Sequence, residues 1–306
     1  MAFYMLFMVI VFGTVALDTT RTPFKTVERV MGGAATYAGL SSSFFTKVNL
    51  VGVVGTDYPT EYLNVLKDRL DVSLLEKKVG KSFFFDSTFD HDLGKRFVNK
   101  TEENVIKDFK PVLPEKFRNV DYVYVGNNDP AQNIELLQQF ENPKLTVCDT
   151  IKYWITNKRQ DLIKMFGMID VVIVNDEEAR LISKNSNLIK CARNIMGWGP
   201  RFVIIKKGEH GAMLFKENCD FIFPAPGFPL ENIVDPTGAG DSFAGGFIGH
   251  IERSRDFSER TLKEAIIYGN VMGSFAVEDF SIKRFLRLDL KRIEERFEKY
   301  RNLVYF

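Results

Sequence analysis

Two carboxylates enclose three nearly featureless residues in the run Asp235-Pro236-Thr237-Gly238-Ala239-Gly240-Asp241-Ser242-Phe243. Gly238, Ala239 and Gly240 let backbone N–H groups come close to an anion. The amphipathic run that follows reads as a helix, whose unpaired amides and positive dipole end favour negative charge. Asp241 is a carboxylate able to take a proton from an attacking hydroxyl. An anion hole and a base on one turn suit phosphoryl transfer to an alcohol. Asp is also a favoured N-cap, so the turn taken alone has a purely structural reading beside the chemical one.

Such a turn needs a scaffold. Val9-Ile10-Val11-Phe12 before Gly13 reads as a buried central strand, and Leu50–Val54, Val120–Val125, Leu145–Cys148, Val171–Val174 and Phe202–Lys206 as further strands. Helical patterns lie between them at 61–69, 132–140, 159–166, 177–183 and 188–196, and later at 262–276 and 288–301. This βα alternation predicts a parallel sheet between two helical layers. Thr19–Met31 and Lys81–Asn99 break the rhythm with extended, alternating patterns that no helix promptly follows, and predict strands standing off the main sheet.

Composition narrows the function. Basic and acidic residues nearly cancel, 41 against 40, and no basic stretch interleaves with aromatics, which argues against nucleic acid. Cys148, Cys191 and Cys219 lack metal-ligand spacing and fit reduced thiols of a cytoplasmic protein. Met1–Leu17 is apolar but has no basic residue before it, no cleavage pattern after it, and too short a span for a membrane helix.

The run Asp235–Phe243 resembles the C-terminal signature of the ribokinase-like (PfkB) carbohydrate kinases, and Gly32-Gly33-Ala34-Ala35-Thr36 resembles their N-terminal double-glycine signature. The resemblance runs from about Val9 to about Phe280 in the family's order. It implies a ribokinase-like three-layer α/β/α sandwich with a mostly parallel sheet and a small β-sheet lid, in one domain over 1–306 with lid strands inserted at about 19–31 and 81–99. The lid often serves in dimerisation, so a homodimer is implied as well. The implied activity is ATP-dependent phosphorylation of a hydroxymethyl group, of a sugar first and a nucleoside as the alternative. A catalytically silent ligand-binding protein on the same fold is a third reading.

By the same resemblance Asp241 is the catalytic base, and Gly238, Ala239 and Gly240 hold the phosphoryl group in flight. Asp18, Gly32, Gly33 and Thr36 bind the acceptor; Asp18 has two oxygens for vicinal hydroxyls. Asn175 and Glu178 hold Mg²⁺, partly through water, although acidic residues in a first turn also stabilise a helix. Lys206, Gly208, Gly211 and Asn270 fall where relatives bind the nucleotide. Asp235 and Thr237 fall where some bind a monovalent cation such as K⁺, but the following loop Val277-Glu278-Asp279-Phe280 lacks the usual glycine at its end. Thr36 stands in place of the usual Asn, and Ala34 in place of the Lys of ribokinases proper, which argues against a strict ribokinase. Phe24, Tyr37, Phe83, Phe85 and Phe89 form an aromatic supply near the lid for a nucleobase.

Overall fold

The computed structural model describes residues 8–216 and 221–304, so Met1–Phe7 and Cys219 lie outside the described residues. Met8–Phe12, with no exposed residue, sits inside a nine-stranded sheet. From edge to edge the order is Ile222–Ala225, Ala212–Lys216, Phe202–Lys206, Val171–Asn175, Leu145–Asp149, Tyr122–Val125, Met8–Phe12, Lys47–Gly55 and Leu75–Lys78. Pairing is parallel from Phe202–Lys206 onward. The first two strands are antiparallel and were not expected.

Side-chain alternation along the central strand builds the layers. Val9 and Val11 point into one core, lined by the helices Ala34–Ser42, Ala239–Ser254 and Glu259–Ala276. Ile10 and Phe12 point into the other, lined by Pro130–Leu137, Arg159–Phe166, Asp176–Ser183 and Leu188–Met196. A strand buried on both faces reads as a continuous apolar run, as this one does. No helix of the described residues is long and apolar enough to cross a membrane.

The second sheet has four strands in the order Thr26–Gly32, Ala16–Arg21, Phe83–Phe89, Arg96–Glu102. The central strand feeds it through Gly13-Thr14-Val15, so the lid starts at Ala16, earlier than its pattern suggested. One expectation is corrected here: the helix Ala34–Ser42 follows the first lid segment at once. All nine residues of that helix are buried, so it carries no amphipathic period to read.

Candidate active site

Asp241, the expected base, and Gly238–Gly240, the expected anion hole, stand at the N-terminus of Ala239–Ser254, where Gly238 is the N-cap at φ 77°. A Cβ on Gly238 would also meet the Tyr37 ring at 2.5 Å, so both the backbone and the neighbour require glycine. The Ala239 amide turns back to the Pro236 carbonyl at 3.2 Å. The amides of Gly238, Gly240 and Asp241 have no partner among the described residues, and all three residues are half-buried. Open amides at a helix start are a ready anion site.

Asp241 is pushed up to about 7, first by burial and then by the nearby Asp149 carboxylate, against the pull of Lys206 and Arg96. The Tyr124 hydroxyl, buried and otherwise unpartnered, also holds the Asp241 carboxyl down. A carboxyl near 7 is matched to proton transfer at neutral pH.

Asp18 comes to the same place from the lid strand Ala16–Arg21, in register with Val30 and Phe85. It is 5% exposed, its Oδ1 has no partner, and burial with repulsion from Asp235 raises it to about 7. Gly32 exists for this carboxylate: a Cβ there would lie 1.9 Å from Asp18 Oδ2. Gly33 is the strained member of the pair, at φ 94° with a would-be Cβ 2.3 Å from the Thr14 carbonyl. Thr36 is fully enclosed on the following helix, its hydroxyl unpartnered.

Asn175 and Glu178 form a reciprocal capping box. Asn175 Oδ1 accepts from the Glu178 amide at 2.8 Å, and the Asn175 amide donates to Glu178 Oε2 at 2.9 Å. The structural role is therefore real, and Glu178 Oε1 is the oxygen left for a ligand. Burial and Asp149 raise Glu178 to about 7.

Lys206 ends the strand Phe202–Lys206 and pairs with Asp149 at 2.9 Å. A Cβ on Gly240 would come within 2.7 Å of Lys206 Nζ, so the ammonium rests against the anion hole. Gly208, at φ 58°, has open space where its Cβ would be, which suits ligand approach. Gly211, at φ 84°, is packed instead, its would-be Cβ 2.1 Å from the Ala225 carbonyl. Asn270 donates to the Pro226 carbonyl at 3.1 Å and to the Tyr300 hydroxyl at 3.4 Å. Asp235 Oδ1 accepts from the Thr237 amide at 2.9 Å, and the Thr237 hydroxyl is buried without a partner.

Three contributors escaped sequence reasoning. Asp149 lies at the C-terminal end of a parallel strand, where open α/β sheets collect ligands, and that position was the available signal. Tyr124 sits inside a strand that reads as plain core. Arg96 extends from the exposed lid strand, its guanidinium 5.3 Å from the Phe85 ring centroid, and its charge reaches Asp18, Glu178, Asp235 and Asp241. Of the aromatic supply, Tyr37 is withdrawn as a stacking platform because it is buried beneath Gly238, and Phe24 is 69% exposed on the outer hairpin.

Comparison with known proteins bears on the family and the fold. The model of the pfkB family of carbohydrate kinases matches residues 8–284. A cytidine kinase of Thermococcus kodakarensis is 30% identical over 254 residues, covering 82% of this chain and 90% of its own. A solved nucleoside kinase of Methanocaldococcus jannaschii, a member of the ribokinase family, superposes with a TM-score of 0.78 at 19% identity, covering 96% of this chain and 99% of that one. A putative ribokinase II of E. coli, solved with ATP and Mg²⁺, gives 0.77 at 18% identity, covering 95% and 99%. The chain belongs to the pfkB family and is a kinase on a ribokinase-like fold.

Proposed function

We propose that this kinase transfers the γ-phosphoryl group of ATP to the hydroxymethyl group of a nucleoside. The observation that carries the chemistry is Asp241, a carboxyl raised to about 7 on the same turn as the open amides of Gly238 and Gly240. Asp18 supports the acceptor half, since a buried carboxylate oxygen without a partner calls for a hydroxyl donor. In the step, the acceptor oxygen forms a bond to the γ-phosphorus while the bond to the β–γ bridging oxygen breaks. The acceptor's proton passes to Asp241, and ADP leaves. The amides offset charge on the phosphoryl oxygens without reorganising, which favours the transition state.

The donor set at Glu178 fits Mg²⁺: hard oxygens, a carboxyl that burial and Asp149 make reluctant to ionise without a cation beside it, and Asn175 next to it. When bound there, the ion would neutralise phosphate charge, and Glu178 Oε1 would be its protein ligand.

The nucleoside reading draws on the names of relatives that span most of the chain, and on Phe85 beside Asp18 as ring surface for a base. A sugar acceptor is the second reading, favoured by the family description and by a polar site built around one diol-sized carboxylate. An ATP-consumption screen of cytidine, adenosine and inosine against ribose and fructose tests it. Turnover on the nucleosides is expected, and turnover confined to the sugars would overturn the nucleoside reading.

A further inference from the structure

The ion pair between Lys206 and Asp149 is almost wholly enclosed, with side chains 15% and 5% exposed. Its partners end two strands that are not neighbours. Between them runs Val171–Asn175, with Ile173 in register with Asp149 and Asn175 with Lys206. The pair therefore bridges over a strand, a span of about 10 Å between backbones that a long lysine side chain covers. Asp149 is held from its other side, where Oδ1 accepts the Thr150 amide at 2.6 Å.

A buried ion pair is poor evidence for stability, because desolvation of both charges consumes most of their attraction. This one also stands beside the Gly238–Asp241 turn, with the ammonium against Gly240. Lysine is a flexible point charge, and a fixed counter-ion is what would keep it at one spot. We propose that Asp149 is a positioning residue that holds the Lys206 ammonium against Gly240, where it meets the phosphoryl group in transit. This rests on the reading of Gly238–Gly240 as the anion hole. Lys206 stays protonated throughout: Asp149 and Glu178 favour its charged form despite burial, and the acceptor's proton goes to Asp241.

The test uses the full chain with D149N, K206M, the double variant D149N/K206M, and D241N as the control. Turnover is followed with ATP, Mg²⁺ and whichever of cytidine or ribose the parent chain phosphorylates. Binding of ADP–Mg²⁺ is measured with and without aluminium fluoride, an anion that occupies the place of the phosphoryl group. D149N and K206M are each expected to lower kcat about 100-fold, with the acceptor KM within about twofold. Both should lose the aluminium fluoride enhancement while binding ADP nearly as well as the parent. The double variant leaves no unpaired buried charge, so it should fold, and its kcat should be no lower than that of K206M because Asp149 acts through Lys206. A D149N variant with parental kcat, losses that multiply in the double variant, or a double variant that regains turnover would each overturn the proposal. If D241N itself retains turnover, the fault lies with the base and anion-hole assignment and not with the ion pair.

Discussion

Asp241→Asn should make the protein both inactive and more stable, and the second effect depends on pH. The folded-state carboxyl is raised from 3.8 to about 7, so between those values the folded protein holds a proton that the unfolded chain has released. Stability from this group is therefore greatest at low pH, falls as pH rises from about 4, and reaches its minimum above about 7. Three pH units at about 1.4 kcal/mol each set an upper limit of about 4 kcal/mol. Because the cleft leaves Asp241 partly accessible to water, about 2 kcal/mol is the working figure. Asparagine imitates the protonated acid, so at pH 8 the variant should melt about 4 °C or more above the parent, and at pH 5 within about 1 °C. Thermal melts without ligand in a chelating buffer at both pH values measure this. Turnover should meanwhile fall by about 10²- to 10⁴-fold. An equal gain at both pH values, or a loss at pH 8, would refute the electrostatic account; near-parental kcat would refute the base assignment.

Gly32→Ala forces a methyl group into Asp18 Oδ2, 1.9 Å away, so the acceptor KM should rise at least about 10-fold while the ATP KM holds; steady-state kinetics with each substrate varied decides it. Gly238→Ala strains a left-handed backbone and strikes the rigid Tyr37 ring, whereas Gly240→Ala meets only the movable end of Lys206. The first should therefore cost about 2 kcal/mol or more of stability and the second clearly less, and denaturant titrations giving the reverse order would contradict the geometry. Removing the positive charge in Arg96→Gln should move the acid limb of the kcat profile to higher pH, since Arg96 lowers Asp241; an unmoved limb would show that the lid charge does not reach the base.

Local signals carried the sheet and failed where context decides. Arg159–Phe166, Leu188–Met196 and Phe202–Lys206 appear with the bounds their patterns gave, because breakers or caps such as Asn187 and Gly197 close them. Ala34–Ser42 was hidden because a helix buried all round has no polar face to mark its period. Ala212–Lys216 and the edge strand Ile222–Ala225 are short strands whose pairing depends on the Gly211 turn packing on Ala225. Asp241, the Gly238–Gly240 turn and Asp18 could be picked out as candidates because glycines and carboxylates leave a local trace. Tyr124 and Arg96 leave none and Asp149 only its place at a strand's C-terminal end, since each matters through partners brought near by the fold.

The electrostatics also bear on how the site avoids wasting ATP on water. Burial and repulsion from Asp149 keep Asp241 only partly ionised at neutral pH, and Asp235 and Asp241 in turn raise Asp18. Lys206 is a fixed counter-charge from the main sheet, whereas Arg96 is supplied by the lid. The lid also supplies Asp18, so the strands proposed to grip the acceptor also carry the charge that favours ionised Asp241. Acceptor binding that draws the lid onto the cleft would thus raise the fraction of active base at the moment a hydroxyl is in place. With the lid away, Asp241 would lose Arg96's pull and hold its proton more tightly, and water would meet less of the ionised base. The ratio of kinase to ATP hydrolysis rates should therefore fall in Arg96→Gln at pH 6.5 and recover at pH 8.5, where Asp241 is ionised with or without the arginine. A ratio independent of pH in that variant would break the link between the lid and the base.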